Sequence, residues 1–242
     1  MKTATLLKKI SLAAATTASL GVFATSANAL TLSSSSGTWS NTVGGAYVHE
    51  NVASGAENQV RWGDPATVNG QSGLGFTGVG VTNFNPGDTF LVGTLRHFNN
   101  AIWSGTAASS TDLGVNLTCR SPTTSQAFNF TLAIDETPNV SGTCVYPSTV
   151  PCADKISFPN AIPNQSFNIL GTNYTLELLG FSNSLGGTLV RDFISQEGGA
   201  NSAYLYGRIT EDRRNVPEPT TVISLLSLGV LGATALKRKK IN

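Results

Sequence analysis

Few residues in this chain have the types and spacing that chemistry demands. Histidine occurs twice, as His49 and His97. His97 and Asn99 stand two apart, so on a strand they share one face. Such a pair could line a glycan or ion site, or close a loop with the imidazole hydrogen-bonded to a backbone carbonyl. The structural use is the expectation, because buried polar groups are ordinarily satisfied by backbone. Asp135 and Glu136 are adjacent carboxylates. Calcium takes several oxygen ligands, but successive strand residues point apart and no D-x-D-x-D-G loop is present. The pair is therefore expected to shape the turn into Thr137-Pro138-Asn139. No catalytic residue is assigned, because G-x-S-x-G, paired-histidine and P-loop patterns are all missing. A glycosidase would need two carboxylates whose spacing only a fold reveals. Trp39, Trp62, Trp103, Tyr204 and Tyr206 could stack on sugar rings or pack in a core.

Cys119, Cys144 and Cys152 allow three single pairings. Cys144 and Cys152 are close and flank Pro147 and Pro151, so they are the favoured disulfide, leaving Cys119 as a buried thiol. No histidine lies near a cysteine in sequence, so neither a metal site nor a cofactor is expected.

The elements that must position these residues read as strands. Phe128, Phe130, Leu132 and Ile134 alternate with polar or small residues, as do Leu113, Val115 and Leu117. Ser166 to Leu179 predicts a hairpin around a three-residue loop, Gly171 to Asn173. Segments 88–98, 188–195 and 203–210 are further strands, while the Gly- and Ser-rich stretches 33–37, 70–80 and 182–187 predict loops. The sum is all-β: a single antiparallel, jelly-roll-like sandwich of about ten strands over 30–214.

The two ends predict export. Lys2, Lys8 and Lys9 precede an apolar stretch, Ile10 to Val22, and the small-residue pattern Ala27-Asn28-Ala29, so residues 1–29 predict a helical signal peptide. The tail, 215–242, holds Val216-Pro217-Glu218-Pro219, an apolar segment over 220–236 and the basic cluster Lys237 to Lys240. That segment predicts a transmembrane helix at the short end of the spanning range, with the basic cluster left in the cytoplasm. Between Leu30 and Pro219, eight basic residues face fourteen acidic ones, a balance of −6 that argues against nucleic acid as a partner.

This tail closely resembles the PEP-CTERM sorting signal, carried by Val216, Pro217, Glu218 and Pro219, the apolar run and the basic end. The resemblance implies recognition by an exosortase, a membrane transpeptidase that cuts near the Pro-Glu-Pro, in a bacterium that makes extracellular polysaccharide. The implied route is membrane anchoring through the C-terminus, then the cell surface or extracellular space. A second resemblance is carried by Asn58 to Gly63, Gln71 to Gly78, Phe90 to Asn100, Asp135 to Asn139 and Asn201 to Ala203. These segments resemble the THxN family of PEP-CTERM proteins, also described as carrying a choice-of-anchor K domain. His97 and Asn99 match its motif, and Arg96 stands where threonine is expected. The expected function is a non-enzymatic cell-envelope or extracellular-matrix protein in contact with polysaccharide. The alternatives are a carbohydrate-active enzyme and a structural subunit that self-assembles through sheet edges.

Overall fold

The computed structural model describes residues 29–212 apart from 141, 150, 160, 161 and 163. Both expected terminal helices and the Val216 to Pro219 motif lie outside the described residues. Among the described residues there is no helix, and none that could cross a membrane. The chain forms strands β1 (Leu30–Gly44), β2 (His49–Ser54), β3 (Glu57–Trp62), β4 (Ser72–Gly78), β5 (Thr82–Phe84), β6 (Thr89–Asn99) and β7 (Ala108–Ser121). Then follow β8 (Thr123–Asp135), β9 (Asp154–Ser157), β10 (Gln165–Ile169), β11 (Thr172–Ser182), β12 (Asp192–Ser195) and β13 (Gly199–Glu211).

They build two antiparallel sheets. One has the order β12-β9-β8-β7-β1-β5, the other β10-β11-β13-β6-β4-β3-β2. One apolar cluster draws on both, including Leu113, Phe130 and Leu132 from the first sheet and Leu74, Leu95 and Leu205 from the second. The alternation in β8 explains the pairing: Phe128, Phe130, Leu132 and Ile134 are buried while Asn129 and Thr131 are exposed. Each such residue removed from water contributes about 1.5–3 kcal/mol.

Two expected loops are strands. Residues 33–37 run inside β1, and most of 70–80 is β4, held between β3 and β6. Their glycines and serines serve close approach instead of turning. The buried ring of Phe76 on β4 crosses Gly37 and Gly93, where an added Cβ would lie 2.4 and 2.2 Å from ring carbons. Ser35 turns its hydroxyl to the carbonyl of Val92 and accepts the N–H of Val79, so a small polar residue satisfies buried backbone there. Tertiary packing has overridden turn composition.

The 166–179 hairpin is also tighter than expected. Ile169 pairs with Thr172, leaving Leu170 and Gly171 as a two-residue turn with φ of 50° and 86°. Two central residues at positive φ make a type I′ turn, whose twist matches the flanking strands. The segment 188–195 contributes only the short β12, with Val190 making a bridge to Phe181.

Candidate functional site

Strand phase points a set of polar side chains into the space between the sheets. On β6, Leu95, His97 and Asn99 share the buried face, and His97 and Asn99 are both 0% exposed. Trp62 ends β3 and Ser72 opens β4 beside them, both fully buried. From the opposite sheet, the inward phase of β8 runs past Ile134 to Glu136, one residue beyond the strand. Asp154 opens β9 in phase with the core residue Ile156, and its β12 partner is Ser195. Glu197 follows in the connection from β12 to β13.

One ligand atom each from His97, Glu136 and Asp154 lie within 4.8 Å of one another. The loop between β8 and β9 orients part of this set. Thr137 donates its backbone N–H to Asp154 Oδ1 at 2.7 Å, and its hydroxyl reaches the same oxygen at 3.2 Å. Among the described residues, both nitrogens of His97, Asp154 Oδ2, Glu136 Oε2, Asn99 Oδ1 and Ser195 Oγ find no hydrogen-bond partner. Buried polar atoms without partners are rare in native proteins, and here those of His97, Glu136 and Asp154 belong to one cluster. The Trp62 ring stacks on His97, with centroids 6.3 Å apart and planes at 26°.

Burial governs the protonation of the cluster. It pushes His97 down to about 3, helped by the charge of Arg61, so the imidazole is neutral and keeps a lone pair to offer. Burial and then the Asp154 charge push Glu136 up to about 8. The Trp62 indole and Ser72 hydroxyl pull the other way, although the indole N–H closes no hydrogen bond of standard geometry. Asp154 rises to about 7 through burial, partly offset by Thr137. Glu197 rises to about 7 through burial and the Asp154 charge. Three carboxyl groups that hold protons near neutrality, beside a neutral imidazole, can exchange protons or surround a cation.

The cluster meets solvent on one side. Glu136 lines a groove of about 480 Å³, whose walls include Ile102, Trp103, Pro138 and Val140. Trp103 is 60% exposed, whereas Asp154 behind Glu136 is 0% exposed. Of the other aromatics singled out in the sequence, Trp39 and Trp62 are buried and the Tyr206 hydroxyl accepts the N–H of Gly186, while Tyr47, not among them, is 68% exposed. Tyr204 is half-buried on β13.

His97 and Asn99 thus share a face, but His97 makes no bond to a backbone carbonyl, which corrects the expected loop-closing role. The carbonyl contact belongs to Asn99, whose amide donates to Ser195 O at 2.9 Å. Asp135 and Glu136 do point apart: Asp135 accepts the Tyr146 hydroxyl at the surface, while Glu136 faces inward instead of shaping the turn. Arg96 projects from the outer face, where it and Arg61 flank the Phe98 ring at 4.1 and 3.9 Å. Cys144 and Cys152 are bonded across the β8–β9 loop, with Cα atoms 5.2 Å apart. Cys119 is a buried free thiol, and burial pushes its pKa up. The expectation of no metal site rested on cysteine and histidine spacing, which carries no information about distant carboxylates. Asp154 and Glu197 were not among the candidate residues for that reason, though continuing the alternation of β8 by one step points Glu136 inward.

Residues 215–239 match the PEP-CTERM protein-sorting motif. The motif implies an exported protein targeted to an exosortase and sorted through its C-terminus at the membrane. No curated protein matches the chain.

Proposed function

We propose that this is a non-catalytic protein of the cell envelope or extracellular matrix, released from the membrane by an exosortase, whose jelly-roll-like sandwich contacts polysaccharide through the Trp103 groove. The sorting motif at 215–239 carries the first half of this reading. The second half rests on Trp103, an aromatic side chain left 60% exposed in a groove that Glu136 also lines. Exposed aromatic rings and acidic or amide groups are a chemistry that suits sugar rings and their hydroxyls. The resemblance to the THxN family, on His97 and Asn99, adds a fold expectation and no activity.

An aromatic groove beside two carboxylates also favours the enzyme alternative, a glycoside hydrolase. Burial argues against it. Both carboxylates of such an enzyme must flank the scissile bond, and only Glu136 lines the groove while Asp154 is fully enclosed. Self-assembly through sheet edges is weakened by β2, an edge strand that is short, carries Glu50 and slips register between His49 and Val52.

The first test is the intact mass of the protein recovered from its own cells. Loss of both 1–29 and the residues after Pro219 supports exosortase release, whereas a retained tail makes it a plain anchored surface protein. The glycan half is read separately, by titrating the producer's extracellular polysaccharide against the intrinsic tryptophan fluorescence. Saturable binding lost in Trp103→Ala supports the groove, and turnover of the glycan by the native protein overturns the non-catalytic reading.

A further inference from the structure

We infer that His97, Glu136 and Asp154, with Glu197 beside them, form a binding site for one divalent first-row transition cation of the zinc or manganese type. This inference is independent of the sorting and glycan readings. Three observations carry it. The first is the donor set: an imidazole nitrogen with carboxylate oxygens suits zinc or manganese. Calcium, which takes six to eight oxygen ligands, has no use for the histidine.

The second is the state of His97. It is fully buried, stacked on Trp62, and neither ring nitrogen has a hydrogen-bond partner among the described residues. Asp154 shows the same asymmetry within one carboxylate. Thr137 holds Oδ1 with two hydrogen bonds while Oδ2 has no protein partner. An oriented ligand with one oxygen committed and one free is how outer hydrogen bonds position metal-binding groups.

The third is distance and access. Metal–ligand bonds of about 2.0–2.2 Å place ligands of one ion roughly 3–4.4 Å apart. The three ligand atoms already lie within 4.8 Å of one another, so small side-chain rotations close the sphere. Glu136 lines the Trp103 groove, which gives the cluster a route from solvent. The Asn99 and Ser195 oxygens without protein partners flank the same space.

The test uses the full chain in detergent, stripped with a chelator and titrated with Zn²⁺, Mn²⁺ and Co²⁺. One equivalent is expected to bind, with Co²⁺ giving visible ligand-field absorption and the bound ion raising the melting temperature. Asp154→Asn and Glu136→Gln, both isosteric, are expected to weaken binding at least tenfold. Thr137→Val keeps every ligand and the backbone N–H bond to Asp154 Oδ1 and removes only the hydroxyl contact, so it is expected to weaken binding less than either carboxylate variant. His97→Ala is avoided as the sole probe, because it opens the core. Instead the His97 ring nitrogens are followed by NMR in the unaltered chain, where coordination shifts one of them strongly. The inference is overturned by failure to bind any of the three ions at one equivalent, by binding that survives both carboxylate variants, or by an unmoved His97 signal. Binding of Ca²⁺ alone overturns it too.

Discussion

The Asn99 amide on β6 donates to the carbonyl of Ser195 at the end of β12 at 2.9 Å, joining the two sheets through a buried hydrogen bond between residues 96 apart in sequence. Asn99→Ala leaves that carbonyl unsatisfied and is expected to destabilise the domain by about 1–3 kcal/mol. Asn99→Asp replaces the donor with an acceptor and is expected to be worse. Urea unfolding followed by tryptophan fluorescence reads both. An unchanged midpoint for Asn99→Asp would show that the cross-sheet bond contributes nothing.

Close approach between the sheets makes a second prediction. A Cβ at Gly78 would sit 1.8 Å from the Ser35 carbonyl oxygen, whereas one at Gly80 would meet nothing within 4 Å. Gly78→Ala must displace backbone and is expected to cost about 1–3 kcal/mol or more. Gly80→Ala is expected to stay within about 0.5 kcal/mol of the parent. Equal melting temperatures for the two variants would contradict the packing described for β1 and β4.

The Cys144–Cys152 bond closes the loop that carries Glu136 and Thr137 to Asp154. Replacing both cysteines with serine is expected to lower stability by about 2–3 kcal/mol on the chain-entropy account. The same change loosens the Thr137 contact, so any metal affinity falls with it. Reduction under native conditions, followed by a thermal melt, checks the first part. A melt indifferent to reductant would mean the loop is held by its other contacts.

The chelator-treated protein should lose stability as the pH rises from 6.5 to 8. Glu136, Asp154 and Glu197 are held at about 8, 7 and 7, above their ordinary values, first of all by burial. Groups raised in the folded state contribute stability that is full below their unfolded pKa and is lost as the pH climbs through the folded one. His97, lowered to about 3 by burial and by Arg61, acts in the opposite sense. Its contribution is present above its unfolded value of 6.5 and lost only as the pH falls toward 3. Above pH 6.5 the carboxyl groups therefore act alone, with Asp135 adding to the pressure on Asp154. Melting temperatures at pH 6.5 and 8 in the presence of EDTA check this, and a flat or rising trend would sink it.

Reading alternation found the strands whose hydrophobic residues speak for themselves. Phe128 to Ile134 and Leu113 to Leu117 were plain, because each stands between a core and a wet face. β1 and β4 were not. Their Ser-Ser-Ser-Ser-Gly and Ser-Gly-Leu-Gly runs resemble loops until Phe76 and the Val92 carbonyl are placed against them. Leu170 in the tight turn was hidden similarly, since a leucine at φ 50° contradicts its own preference and is held there by strand pairing on both sides.

The sequence by itself determined what is written in short-range order. It shows the basic, apolar and small-residue start, the Pro-Glu-Pro tail that matches a sorting motif, the acidic balance, and the phase that puts His97 and Asn99 on one face. These are local properties, set by period and composition. Only the tertiary structure decided that His97 meets Glu136 and Asp154, with the Glu197 charge within reach of both carboxylates. Those four residues come from β6, from the end of β8, from the start of β9 and from the turn after β12, in two different sheets. Proximity between sheets follows from burying apolar faces against one another, and no spacing along the chain encodes which polar residues that burial traps together.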